Sequence, residues 1–468
     1  MTPVRATNQK KEISMRSRLL LFIAVFALVA AACGGDDDST DTTAAPGGDG
    51  GGTETTAAGD GSAITIDLAR FFGDCDDTTQ GVTDVSQATT ECEVIQILTN
   101  AFNAADNGIT INKLGGQAWD SYYTQLSTTF ASGNPPQVAV MHSHRLPDFA
   151  GRDLLRPIGD ELDGAGIDFS DYTQPAQQGA TYEGEVFAAP FDIHGSLWHM
   201  NVDLFAEAGL VDGDGNPILP TSPQELIEQA ETLEAATGKK YFSQDWFEFG
   251  VGARLFLGLV AQQGGSITDA DGNATVNTPE GQEALRLMNE LATKYSDPSQ
   301  GYTDSQAAFL NGDIAVLHNG TWVVDQYSRE APFTYMVTSL PAIYDQPGAW
   351  GDSHMWVLPA ASNEDPALRE ASLEFVKFLY DNIAAWAKGT GHLANRTSIL
   401  TGGELDDAPQ RDNYADAADT ATFVPAVPNW AGAWDSLAEE LNATWVSGKD
   451  QAAALADAEA RMNEELSS

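Results

Sequence analysis

The sequence predicts an α/β fold, with a parallel sheet covered by helices, in a chain long enough for two lobes. Two observations carry this. Strand-like and helix-like hydrophobic patterns alternate from residue 64 onward, and the 468 residues exceed what one core ordinarily holds. A third supports it: the later helices open on recognisable caps.

In chain order, Ile64, Ile66 and Leu68 alternate with smaller or polar residues, the period of a strand. Val94, Ile95, Leu98 and Phe102 recur at helical spacing. Residues 108–115, GITINKLG, give a second strand. Trp119, Tyr122, Tyr123, Leu126 and Phe130 mark a second helix, closed by Gly133 and Pro135. Residues 137–142, QVAVMH, give a third strand. The βαβαβ order implies parallel pairing with helices on the faces. Ser222 to Glu225 read as a capping box with Pro223 at the first helical position, and Thr278-Pro279 and Asp365-Pro366 open two more helices. The acidic turns at 212–216 and 269–273 lack the full ligand set of a calcium loop and read as connectors. No internal repeat is evident.

The N-terminus has a different character. Residues 1–18 carry Arg5, Lys10, Lys11, Arg16 and Arg18 against the single acid Glu12. Residues 19–31 are apolar, and Ala30-Ala31-Ala32-Cys33-Gly34 follow. A basic zone, a short apolar core and small residues before a cut site make a secretory signal over 1–32. The run is too short for a comfortable membrane-spanning helix. Cys33 resembles the lipid-acceptor cysteine of bacterial lipoproteins, although Ala30 stands where Leu is usual. That resemblance implies a lipid on Cys33 and an extracytoplasmic, membrane-anchored location. Residues 33–62 are mostly Gly, Asp, Thr and Ala, cannot bury enough apolar surface to order themselves, and read as a tether.

The formal net charge is −45, and loss of residues 1–32 would make it more negative. Such a field argues against nucleic acid and anionic membrane surfaces as partners. With Cys33 set aside, Cys75 and Cys92 remain, and an even pair in an exported domain reads as a disulfide.

In open α/β sheets, ligands bind beyond the carboxyl ends of strands. That rule selects Phe71 and Phe72, then His142, Ser143, His144 and Arg145, then Asp192, Ile193 and His194.

A resemblance narrows the reading. Asn201-Val202-Asp203-Leu204-Phe205, Ala208-Gly209-Leu210 and Pro220-Thr221 with Glu225-Leu226 follow the stretch at 182–191. Gln263-Gly264-Gly265, Asn277-Thr278-Pro279-Glu280-Gly281, Ala308-Phe309-Leu310-Asn311-Gly312, Asn319-Gly320-Thr321-Trp322 and Gly391-His392-Leu393-Ala394-Asn395-Arg396 come next in order. The set resembles the extracellular sugar-binding proteins of ABC importers, the family that includes maltose-binding and glycerol-phosphate-binding proteins. Met200, Ser222 and Ala394 depart from its usual Tyr, Trp and Pro.

The resemblance implies a two-lobe, periplasmic-binding-protein-like fold, hinge-linked around a ligand cleft. One lobe would comprise 63–191 and 353–402, and the other 193–350 and 403–468. It implies a monomer that binds a mono- or oligosaccharide and delivers it to permease subunits and, through them, an ATPase. It calls for no cofactor.

Sugars need planar polar groups around aromatic platforms. Trp322, Trp434 and Trp246 fall where relatives place cleft aromatics, and Trp430, one turn before Trp434, is expected to share its role. His144, Arg145, His194 and Arg396 fall where relatives place polar contacts, Asp352 sits at an expected lobe crossing, and Phe72 completes the expected set. Arg396 also matches an Arg of relatives that take glycerol-phosphate compounds, which keeps a phosphorylated or other polar solute as the alternative. A metal site is not expected, because the histidines are scattered along the chain with no HxxxH or HExxH pair. A surface glycoside hydrolase is the enzymatic alternative, since acids and aromatics abound. No arrangement singles out a catalytic carboxylate pair.

Overall fold

The computed structural model describes residues 63–115, 119–248 and 250–468. The signal segment, Cys33 and the tether lie outside the described residues. Thirteen strands follow in chain order: β1 Ile64–Ala69, β2 Ile109–Lys113, β3 Val138–His142, β4 Thr181–Tyr182, β5 Glu185–Val186, β6 Ala188–Pro190, β7 His194–Asn201, β8 Lys240–Ser243, β9 Ile314–Gly320, β10 Tyr335–Ser339, β11 Ala349–Asp352, β12 His354–Val357 and β13 Ala421–Phe423.

They form two main sheets, ordered β2-β1-β3-β12-β6 and β13-β11-β7-β9-β8, with β10 also on β7, besides the hairpin β4-β5. The expected parallel pairing holds for β1 with β2 and β3. β12 and β6 instead run antiparallel to their neighbours. They reach the first sheet by direct passage to and from the second, with no helical crossover to enforce parallel direction.

Each sheet has its own core. In the first, Ile66 and Leu68 of β1 point inward against Val94, Ile95, Leu98 and Phe102 of the helix Glu91–Ala104. Thr90 and Glu93 cap that helix reciprocally: Glu93 N donates to Thr90 Oγ1 at 3.3 Å, and Thr89 N to Glu93 Oε2 at 2.8 Å. The disulfide Cys75–Cys92, with Cα atoms 6.0 Å apart, fastens the loop after β1 to the first turn of the same helix.

The second core lies between its sheet and the helices Val251–Gln262, Pro279–Lys294, Trp430–Val446 and Gln451–Leu466. Ser222, Thr278 and Asp365 cap their helices as the sequence predicts. In the acidic turns, a carboxylate oxygen of Asp212 accepts from the backbone N–H groups of Asp214 and Asn216, and one of Asp269 from those of Asp271 and Asn273, which suits a connector. Among the described residues no helix is long and apolar enough to cross a membrane.

The chain passes between the sheets at 191–193, from β6 into β7, and at Ser353, from β11 into β12. The two passages lie side by side. His194 pairs with Asp352 across β7 and β11, and His354 pairs with His142 across β12 and β3.

Candidate functional site

These passages form the floor of the region where the two sheets meet. Asp192, fully buried, is its anchor. Its carboxylate accepts from Trp386 Nε1 at 2.8 Å and from His354 N at 3.0 Å. Its oxygens also lie 2.7 Å from His354 Nδ1 and 3.1 Å from His194 Nδ1. Burial would raise the pKa of Asp192, but His354, His392 and His194 outweigh it and hold the group well below the carboxylate range. The His194 and His354 rings stack at 4.1 Å. Burial and then His354 push His194 down to about 4. Burial also lowers His354, but Asp192 more than compensates, so its pKa is raised.

Asp352 is the second buried acid. It accepts from Ser143 N at 3.1 Å, Ser143 Oγ at 2.5 Å and Ser353 N at 2.8 Å, and its other oxygen lies 2.5 Å from His144 Nδ1. These contacts pin the loop after β3. His144 and Arg145 on that loop stay partly exposed. The Arg145 guanidinium lies 4.6 Å over the Tyr123 ring.

The wall rising from the second sheet is aromatic and cationic. Trp322 follows β9, and its indole N–H donates to Tyr302 Oη at 2.6 Å. The ring folds across Gly320, where a Cβ would lie 2.1 Å from it; no side chain but hydrogen fits there. Trp350 lies 6.4 Å from Trp322, and His194 lies 5.7 Å from Trp350. Arg254, in the first turn of the helix Val251–Gln262, places its guanidinium 4.2 Å over Trp350 and 5.4 Å from Trp322. Burial lowers the pKa of Arg254, opposed by Tyr302, Asp245 and Asp352. Trp434 is partly buried beside Gly250, on a helix that also packs against residues 143–145. Across the interface Asn429 N donates to Asp148 Oδ1 at 2.6 Å.

The fold therefore brings His144, Arg145, His194, Asp352, Trp322 and Trp434 to one region, though in unequal roles. Asp352 faces inward with its oxygens engaged, so it acts through His144 and the loop. Phe72 is buried against Phe71, His354 and Trp386 beneath the floor.

Three expected contacts lie elsewhere. Trp246 is fully buried in the second core, packed on Trp445, with its N–H on Ser296 Oγ at 2.7 Å. Trp430 is buried in the same core. Arg396 is tied into the first lobe: its Nε donates to Asp171 at 2.8 Å and its guanidinium lies 3.8 Å over Tyr380. For Trp246 and Trp430 apolar burial wins, and for Arg396 a local acid does.

Sequence reasoning missed Arg254, which sits in an apolar helix with no local mark of function. It missed Tyr123 and Trp350 as well. It also counted the histidines as scattered. In space His142, His194, His354 and His392 form one cluster of neighbouring rings.

Comparison with known proteins places this arrangement. The bacterial extracellular solute-binding protein family matches residues 89–386. A putative binding protein of Brucella abortus is 23% identical over 382 residues, 77% of this chain and 87% of that one. The diacetylchitobiose-binding protein of Streptomyces coelicolor is 22% identical, over 67% of this chain and 73% of that one. Among solved structures, maltose-bound MalE3 of T. maritima aligns with a TM-score of 0.72 at 19% identity, covering 86% of this chain and 100% of that one. UgpB from Mycobacterium tuberculosis, in complex with glycerophosphocholine, aligns with a TM-score of 0.72 at 18% identity, covering 86% and 98%. These likenesses are to the fold.

Proposed function

The chain belongs to the bacterial extracellular solute-binding protein family, and on that premise we propose that it captures a carbohydrate between its lobes and hands it to the permease of an ABC importer. The observation that carries the reading is the wall: Trp322 held across Gly320, beside Trp350 and the Arg254 guanidinium, with His144 and Arg145 on the loop after β3. Aromatic faces suit the C–H faces of a sugar, and fixed guanidinium and imidazole groups suit its hydroxyls. Relatives named for diacetylchitobiose and maltotriose support the same class.

The lobes run over 63–191 with 353–402, and over 193–350 with 403–468, closing about the passages at 191–193 and 353. The chain works as a monomer and catalyses nothing. It is exported by residues 1–32, lipidated on Cys33 and held near the membrane by the tether at 33–62. Metabolic labelling with a fatty acid checks the anchor: label should appear on the native chain and disappear in Cys33→Ser.

A second reading keeps the fold and takes an anionic polar solute such as a glycerophosphodiester. Arg254 favours it, as a half-buried cation among aromatic rings, and so does the fold match with UgpB. Thermal-shift screening of mono- and oligosaccharides against glycerol-phosphate compounds decides between them. A saccharide that raises melting supports the first reading. A shift by phosphorylated compounds alone, lost in Arg254→Met, replaces it with the second. Sustained release of reducing sugar by the purified chain would overturn both.

A further inference from the structure

We propose that the wall selects an acidic saccharide, a sugar whose carboxylate is held by the guanidinium of Arg254 while its C–H face rests on Trp322. This rests on the carbohydrate reading above and adds the charge of the ligand to it.

Arg254 stands apart from the other arginines. Among the described residues its guanidinium forms no hydrogen bond and no ion pair, and its recorded neighbours are the rings of Trp350 at 4.2 Å and Trp322 at 5.4 Å. Every other described arginine reaches a carboxylate, a carbonyl or an amide oxygen. A guanidinium keeps its charge and has five N–H donors in a rigid fork. Here a half-buried fork rests on aromatic faces, which offer cation–π attraction but no lone pair.

The acids whose charge Arg254 feels are Asp245 and Asp352. Both are turned to other work. Asp245 Oδ1 accepts from the N–H groups of Phe247 at 3.1 Å and Glu248 at 2.8 Å. Asp352 holds Ser143, Ser353 and His144. A carboxylate brought by the ligand would supply the missing acceptor, because its two oxygens match the guanidinium fork. The protein side of that pair is already partly desolvated by the tryptophans, so little of the usual cost of burying the cation remains.

The corner around Arg254 suits a sugar acid. The Trp322 and Trp350 rings stand at 80° with centroids 6.4 Å apart. With Arg254 over Trp350, Trp322 is left to take the C–H face of a pyranose. In a hexuronate the carboxylate carbon extends from the edge of that ring, where a cation beside the platform meets it. One cation offsets one negative charge, whereas a phosphomonoester brings about −1.5 to −2. The net charge of −45 does not oppose this choice, since charges beyond about 8–10 Å are largely screened at physiological salt.

The test is titration calorimetry of the purified chain with glucuronate, galacturonate and their (1→4)-linked oligomers. The methyl esters, the neutral parent sugars and glycerophosphocholine are titrated alongside. At least one acidic sugar should bind at a single site, roughly thirtyfold or more tighter than its own methyl ester. Arg254→Met should weaken the acid about thirtyfold, so that acid and ester bind alike. Arg254→Lys should restore only part of the difference, because a point charge replaces a fork. Circular dichroism establishes that each variant is folded, and the comparison of acid with ester on the native chain needs no variant. Neutral sugars binding as tightly as the acids would overturn this proposal and leave the carbohydrate reading standing. An acid preference that survives in Arg254→Met would overturn the role of Arg254. Binding of no saccharide, acidic or neutral, or of glycerophosphocholine alone, would overturn both.

Discussion

The floor and the wall of the lobe interface are built from similar residue types and used differently. In the floor, Asp192 and Asp352 direct their oxygens at neighbouring imidazoles, backbone N–H groups, an indole or a hydroxyl. The wall is looser. Trp322 donates its indole N–H to Tyr302 and packs its ring across Gly320, and Arg254 rests on the faces of Trp350 and Trp322. A polar group saturated by its own protein positions others. A half-buried aromatic face or guanidinium with capacity left over is available to a ligand. Trp246 and Arg396 fall on the saturated side of that division, and Trp322 and Arg254 on the other.

That division can be broken by substitution, beginning where the effect is greatest. Trp246→Ala removes a fully buried indole and should destabilise the chain by about 3–5 kcal/mol. The molecules that remain folded should bind their solute with unchanged affinity, as chemical denaturation and calorimetry on one preparation can show. A large affinity loss at unchanged stability would put Trp246 in the binding wall. Trp322→Ala should do the reverse. It should cost about 2 kcal/mol of binding, roughly thirtyfold in Kd, with a smaller fall in unliganded melting. A collapse of stability would instead assign Trp322 to the core.

Arg396→Ala sharpens the comparison from the first lobe. It removes a partly exposed ion pair and a stacked contact, worth about 1 kcal/mol of stability, and should leave affinity for the solute unaltered.

The smallest effect is a pH dependence. Burial would raise the pKa of Asp171, but Ser398 and Arg396 outweigh it and the group is lowered. Its contribution is therefore present above the unfolded value of about 3.9 and is lost as pH falls through the lower folded value. Acid unfolding of Asp171→Asn should lack that component. An identical acid profile for the variant and the native chain would mean that the pair contributes nothing to stability.

The first sheet was largely legible in the sequence, because β1 and the helix Glu91–Ala104 repeat their apolar residues at the periods of strand and helix. The capping residues Ser222, Thr278 and Asp365 were legible for the same local reason. The antiparallel β12 and β6 were not, since their direction follows from passages between lobes that no local pattern marks. Among the tryptophans, Trp322 is marked in the sequence by the Asn319-Gly320 before it. Trp246 was misread because its sequence neighbourhood does not reveal Ser296 and Trp445, which enclose it from distant helices. The histidine cluster was illegible for a like reason. Its members stand at 142, 194, 354 and 392, and only the side-by-side passages bring them together.

Titration calorimetry of a saccharide panel against the native chain and Trp322→Ala tests the central claim most directly. The account predicts that at least one mono- or oligosaccharide binds the native chain at a single site and binds Trp322→Ala roughly thirtyfold more weakly. Equal binding to both, or binding confined to phosphorylated compounds, would contradict it.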